Sequence, residues 1–242
     1  QMTASPLVFL MFFLSKIVRF GIFSLILYFL IGGINTVGGY TKEQMIMFYL
    51  IFTFIDTFAQ IIYREVYRFR PLIVSGDFDM VLVKPINPLF RCLLGGPDFI
   101  DVGILIVILI VLSNVAILLN LQPYNYLLFL LLFINSLLIV TGFHIFALAL
   151  GVLTTSVDQF MLLYRELTSL TRIPVDFYIK PFQFLFMYLL PIGIIFTIPA
   201  KALFGLLSPQ MVITSFVIGI LFLILSVNYW EYALKKYSSA SS

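Results

Sequence analysis

The sequence predicts an all-α membrane protein with six transmembrane helices and both termini in the cytoplasm. Three observations carry that prediction. Of 242 residues, 62% are hydrophobic and only 10% charged, with a mean hydropathy of +1.13; soluble domains carry about 25% charged residues. The apolar stretches arrive in blocks of about 20 residues, which at about 1.5 Å per residue cover the ~30 Å of bilayer hydrocarbon. The strict alternation of a membrane β-strand is absent, so the spans read as helices that satisfy their own backbone in lipid. Lysines and arginines gather on alternate connections, which sets the orientation.

Ser5-Pro6 reads as a helix cap and first helical residue. Lys16 and Arg19, three apart, lie on one side of that helix at the cytoplasmic interface. Residues 1–19 are therefore expected to form an interfacial helix that leads into a first span at 20–37. Gly38-Gly39-Tyr40 is a short outer turn, and Thr41 and Gln44 fit a capping box ahead of the second span, 44–63. The longest polar stretch, 64–101, holds Arg64, Arg68, Arg70, Lys84 and Arg91 and is dense in Pro and Gly. Pro97-Asp98 opens the third span, 102–121; a turn at 122–125 leads to the fourth, 126–153.

Residues 159–208 allow two layouts. Hydropathy selects 182–200 as the fifth span, although Pro191 and Pro199 interrupt it. The alternative is 159–173, which carries Arg165, Glu166 and Arg172 and leaves 174–208 as broken, outward-facing helices. Ser208-Pro209 caps the last span, 211–230, and the tail, 231–242, carries Lys235 and Lys236. With both ends inside, the hydropathy layout leaves only Lys42 and Lys201 outside; the alternative adds Arg172 and Lys180.

Composition also excludes chemistry. A single cysteine, Cys92, rules out an intramolecular disulfide and a cysteine metal cluster. A net charge of +3 is too small to indicate a nucleic-acid partner. A cleaved leader is not expected, because the apolar run 7–14 meets Lys16 and Arg19 and no small-residue cleavage site. There is no G-x-x-x-x-G-K-[ST], H-E-x-x-H or G-x-S-x-G, and one histidine, His144, so no catalytic residues, metal or cofactor are expected on this chain.

Asp56 falls mid-span, with Gln60 one turn later on the same face. A carboxylate at a helix centre costs about 2.5–3.5 kcal/mol to insert, so it must face protein or water. It reads either as a substrate or proton site, or as a hydrogen bond to Asn114, Asn135 or His144 on a neighbouring helix. Ala147 and Gly151 form a small-x-x-x-small pair suited to close helix packing. The most informative segment is 63–90. It divides into a basic helical extension, a Pro-Leu-Ile-Val helix start, a Ser-Gly-Asp turn, and a short apolar helix closed by Lys84-Pro85. Its arginines could anchor anionic lipid, but that leaves the Gly/Pro punctuation and the Asp77/Asp79 pair unexplained; a folded loop of this kind suits docking on a partner.

Arg70, Ser75-Gly76-Asp77, Asp79, Leu82, Lys84-Pro85 and Asn87-Pro88-Leu89 together resemble the loop between the second and third spans of ABC-2 type transporter permeases. The prolines and Tyr178 of the late segment and the closing stretch from Trp230 to Tyr237 are similar to that family as well. The resemblance implies a type V exporter-like fold, a second permease subunit (a homo- or heterodimer), and two separate ATPase subunits that bind ATP and Mg below the membrane. It implies an ATPase-coupling loop comprising Arg70, Pro71, Ser75, Gly76, Asp77, Asp79, Leu82, Lys84 and Pro85, with a coupling helix within it. It implies export across the cytoplasmic membrane of a prokaryote, and it favours 159–173 as the fifth span. Asp56, Gln60, Arg165 and Glu166 then become pathway candidates, and Pro174, Tyr178, Pro191 and Pro199 outer-gate candidates. An ion-coupled secondary transporter using Asp56, Glu166 and His144 is the competing reading, but no internal repeat of the kind such folds show is apparent.

Overall fold

The computed structural model describes residues 6–30, 36–96 and 100–238. Ser5, Pro97, Asp98 and residues 239–242, to which the sequence assigns a cap, a span opening and the end of the tail, lie outside the described residues.

Helix α1, Pro6–Leu30, is continuous for 25 residues, so the expected interfacial helix and the start of the first span are one element. Thr36 and Val37, expected to end that span, instead form β1, Thr36–Val37, paired antiparallel with β2, Tyr40–Thr41. The cause is Gly38-Gly39: both sit at positive φ (59° and 87°), the conformation of a tight hairpin turn. The capping box forms as expected, with Thr41 Oγ1 accepting from the Gln44 amide and Gln44 Oε1 from the Thr41 amide, and opens α2, Lys42–Ile62.

A 3₁₀ segment, Arg64–Arg68, leads into three short helices: α3, Phe69–Val74; α4, Phe78–Leu82; and α5, Pro88–Leu94. Then come α6, Ile100–Leu118, and α7, Pro123–Thr154. Helix α8, Val157–Leu170, is followed by a 3₁₀ turn, Val175–Phe177, and by α9, Lys180–Phe184, which continues as a π turn through Leu185–Leu189. Helix α10, Ile192–Leu203, and α11, Pro209–Lys236, complete the chain; Ser208 caps α11 as expected, and the helix carries on through the first residues of the tail.

Among the described residues, Lys42–Ile62, Asp101–Leu118, Pro123–Thr154 and Pro209–Lys236 are long and apolar enough to cross a membrane. A fifth candidate is the pair Lys180–Leu189 and Ile192–Leu203, bent by 97°. The protein is thus an all-α membrane protein with four to five such candidates in the described residues. The exposed faces of α6 and α11 are apolar, at Ile110, Ile117, Ile213 and Leu225 for example, as lipid-facing surfaces must be.

The two ends of the bundle differ. At one end lie the hairpin, the α6–α7 turn and the α10–α11 turn: Asn125 packs against Gly205, and Tyr40 hydrogen-bonds Asp176. At the other lie the three short helices, the α7–α8 turn and the C-terminal part of α11. Arg70 pairs there with Asp158 at the start of α8. Helix α8 therefore runs from the short-helix end towards the hairpin end, although its 14 residues cover only about 21 Å. Helix α10 is buried along most of its length and packs on α7 and α2. That explains how a Pro-interrupted segment can be as apolar as a span: its surroundings are protein.

Candidate functional site

The first candidate site is the folded loop. Its inner face is aromatic and apolar: Phe69, Ile73, Phe78 and Val81 are buried. Phe78 meets Phe69 edge-on at 5.3 Å, Trp230 at 6.3 Å and Tyr237 at 5.2 Å, so the end of α11 and the loop share one aromatic cluster. Burial and the nearby Asp79 carboxylate raise the Tyr237 phenol above its ordinary range. The turn between α3 and α4 depends on Gly76 at φ 79°. Ser75 Oγ donates to Asp77 Oδ2 at 2.7 Å, and the Asp79 amide donates to the Gly76 carbonyl at 3.1 Å. Asn87 Oδ1 accepts from the Leu89 and Phe90 amides, and Pro88 takes the first turn; Asn87-Pro88 is thus the N-terminus of α5.

Glu65 is an anchor of the loop that the sequence does not single out. It is buried and takes Arg91 at 2.8 Å and Arg68 at 3.5 Å, which ties α5 to the 3₁₀ segment across 26 residues. The Glu65/Arg68 spacing is visible in the sequence, but the link to Arg91 is not. Cys92 is a buried residue of the same helix, and burial pushes its thiol up to about 12. The outer face of the loop is exposed and apolar: Val74, Met80, Val83 and Ile86, with Arg70, Pro71, Ser75, Asp77, Lys84 and Pro85 around them. Leu82 is half-buried at the edge of this face.

The second candidate is a cavity of about 190 Å³ between α1, α2, the 3₁₀ segment, α6, α7 and α8. Of the pathway candidates it brings together Asp56, Gln60 and Arg165, and it adds Lys16, Tyr164, Arg172 and His144. Glu166 does not line it; that side chain is exposed on α8. Gln60 Nε2 donates to Asp56 Oδ2 at 2.7 Å. Of the other proposed partners of Asp56, Asn135 instead donates to the Ser215 carbonyl and Asn114 to the Ile110 carbonyl; His144 shares the cavity but bonds the Val140 carbonyl. The set Asp56, Glu166 and His144 is therefore not assembled. Lys16 reaches the cavity while ion-paired to Asp101, a contact between residues 85 apart that no local pattern announces. Among the described residues, no group of three or more His, Cys, Asp or Glu side chains could hold a metal.

A family model described as ABC-2 family transporter protein matches residues 14–241. The chain belongs to the ABC-2 transporter family. No curated protein and no solved structure matches it. As an ABC-2 chain it is a multi-pass membrane subunit of permease type. The late prolines of this ABC-2 chain have distinct local roles. Pro174 is buried before the 3₁₀ turn, and the Tyr178 hydroxyl donates to the Leu170 carbonyl at 2.6 Å, closing the end of α8. Pro191 stands at the 97° bend, and Pro199 is buried inside α10. Gly151, the small residue paired with Ala147, lets Phe69 of the loop and Val157 of α8 approach α7 within the chain.

Proposed function

We propose that this chain is the membrane-spanning subunit of an ABC exporter, coupled through its folded loop to ATP hydrolysis on separate subunits. In this reading two permease chains pair, two ATPase subunits bind beneath them, and those subunits carry the ATP and Mg. Six spans place both termini in the cytoplasm of a prokaryotic cell; α1 supplies the first span and α8 the fifth. The α9–α10 pair caps the outer end of the pathway, with Pro174, Tyr178, Pro191 and Pro199 in the gate.

The observation that carries the reading is the two-faced construction of the loop. Its buried aromatic face is fastened to α11 through Phe78, Trp230 and Tyr237, while its outer face presents Val74, Met80, Val83 and Ile86 to the aqueous phase. Large apolar side chains exposed within one short loop mark a candidate interaction surface, and a partner that moved the loop would act directly on α11. Arg70–Asp158 gives the loop a second connection, to α8. Val83 is 79% exposed, so Val83→Asp leaves folding intact. Purified in mild detergent, the tagged wild type is expected to bring down an ATP-hydrolysing subunit, and the Val83→Asp variant to lose most of it at equal yield. Full retention of that subunit and of transport by the variant would remove the loop from the mechanism.

A further inference from the structure

We infer that the cavity between α2 and α8 recognises amphiphiles by an anionic headgroup, with Arg165 and Arg172 as the receptor. This rests on the permease reading, since it specifies what the pathway carries. The charges around the cavity do not balance. Lys16 is matched by Asp101. Asp56 supplies the one carboxylate among the lining residues, and it already accepts from Gln60. Arg165 and Arg172 both line the cavity, and among the described residues neither guanidinium makes an ion pair or a side-chain hydrogen bond. Two guanidinium charges thus face a single carboxylate, leaving one positive charge over.

Arg165 is exposed and Arg172 half-buried; in the permease reading both belong to a span, where an unmatched guanidinium marks a place where a counter-charge belongs. The guanidinium fork offers up to five N–H donors in a plane, which fit phosphate, sulfate or carboxylate oxygens in pairs. Beside the arginines the wall is mixed: Tyr49, Phe52, Ile104 and Tyr164 give it apolar and aromatic surface, and Thr53, Thr57, Thr168 and Ser169 give it hydroxyls. A volume of about 190 Å³ holds a headgroup and little more, so the acyl or ring portion lies along the open side of the cleft. Cationic amphiphiles meet the surplus charge and are disfavoured.

The test uses the purified complex in maltoside micelles and three fluorescent dodecyl probes that differ only in the head: phosphate, phosphocholine and trimethylammonium. The phosphate probe is expected to bind at least about tenfold more tightly than the trimethylammonium probe, the effect of roughly one good charge-assisted contact. In the Arg165→Gln/Arg172→Gln variant that ratio falls to about one, and in Arg165→Lys/Arg172→Lys, which keeps the charge should the first variant misfold, most of it remains. Equal binding of the three probes, tighter binding of the cation, or a ratio unchanged in the glutamine variant would overturn the inference. Displacement of the phosphate probe by excess inorganic phosphate alone would overturn its amphiphile half. Stimulation of ATP hydrolysis by the phosphate probe marks a transported ligand; binding without stimulation, with phosphatidylglycerol retained through purification, marks a resident lipid, and either supports the site. If the complex assembles and hydrolyses ATP but shows no headgroup preference, only this inference fails; if no ATPase subunit is ever recovered, the permease reading fails first.

Discussion

Tyr40 is 2% exposed, and its hydroxyl donates to Asp176 Oδ2 at 2.6 Å, while Lys201 donates to the other oxygen at 2.6 Å. The three residues fasten the hairpin to the 3₁₀ turn and to α10. Burial first, and the Asp176 carboxylate second, hold the Tyr40 phenol above its ordinary value of 10.0. The sign follows: the neutral phenol is favoured in the folded state, so its contribution is complete below pH 10 and is lost as pH rises past that value. Tyr40→Phe is expected to cost about 1 kcal/mol, discounted because Asp176 is partly exposed. The loss should be constant from neutral pH to about pH 9 and should narrow at higher pH, read as the gap between the variant and wild-type thermal midpoints. Gly219 presents a different constraint: a Cβ there would lie 2.2 Å from Asn135 Oδ1, inside the α7–α11 contact. Gly219→Ala should destabilise the bundle by about 1–3 kcal/mol through overpacking, visible as earlier loss of the monodisperse peak on heating.

Among the elements, the long helices were the most legible. Thr41/Gln44 and Ser208-Pro209 mark real helix starts; 126–153 and 211–230 fall within α7 and α11, and 44–63 overruns α2 by one residue. The loop was legible as punctuation: the Ser-Gly-Asp turn, with Gly76 in the left-handed conformation, is local chemistry. Its fastening was not, because Phe78 meets Trp230 and Tyr237 from the far end of the chain. Helix α5 was missed for a related reason: its seven residues are held by Glu65–Arg91, a tertiary pair. Hydropathy alone does not separate the two layouts at α10, since burial in protein and burial in lipid select the same residues. Phe78→Leu keeps the loop's apolar character but removes the edge-on ring contacts, worth about 1.5–4.5 kcal/mol over three pairs. That variant should still recover the ATPase subunit while transport per ATP hydrolysed falls. Unchanged coupling would separate the aromatic cluster from the mechanism.

At the scale of the molecule, composition alone places the chain in lipid, and the family match over 14–241 agrees with what the loop residues resemble. The cavity was half legible. Asp56, Gln60 and Arg165 stand out because polar residues in apolar helices are conspicuous, but their meeting with Lys16, Arg172 and Tyr164 depends on how α1, α2 and α8 assemble. Glu166 stands out equally in the sequence and faces elsewhere, since adjacent positions on a helix point about 100° apart. The central claim is that the outer face of the folded loop is where an ATPase subunit docks. A photo-cross-linking amino acid placed at Val83 in living cells tests it most directly, with Leu118, also exposed but on the apolar helix α6, as the control. The account predicts one adduct from Val83, carrying an ATP-binding subunit, and none of that kind from Leu118. Adducts to lipid alone from Val83, or the same ATPase adduct from both positions, would contradict it.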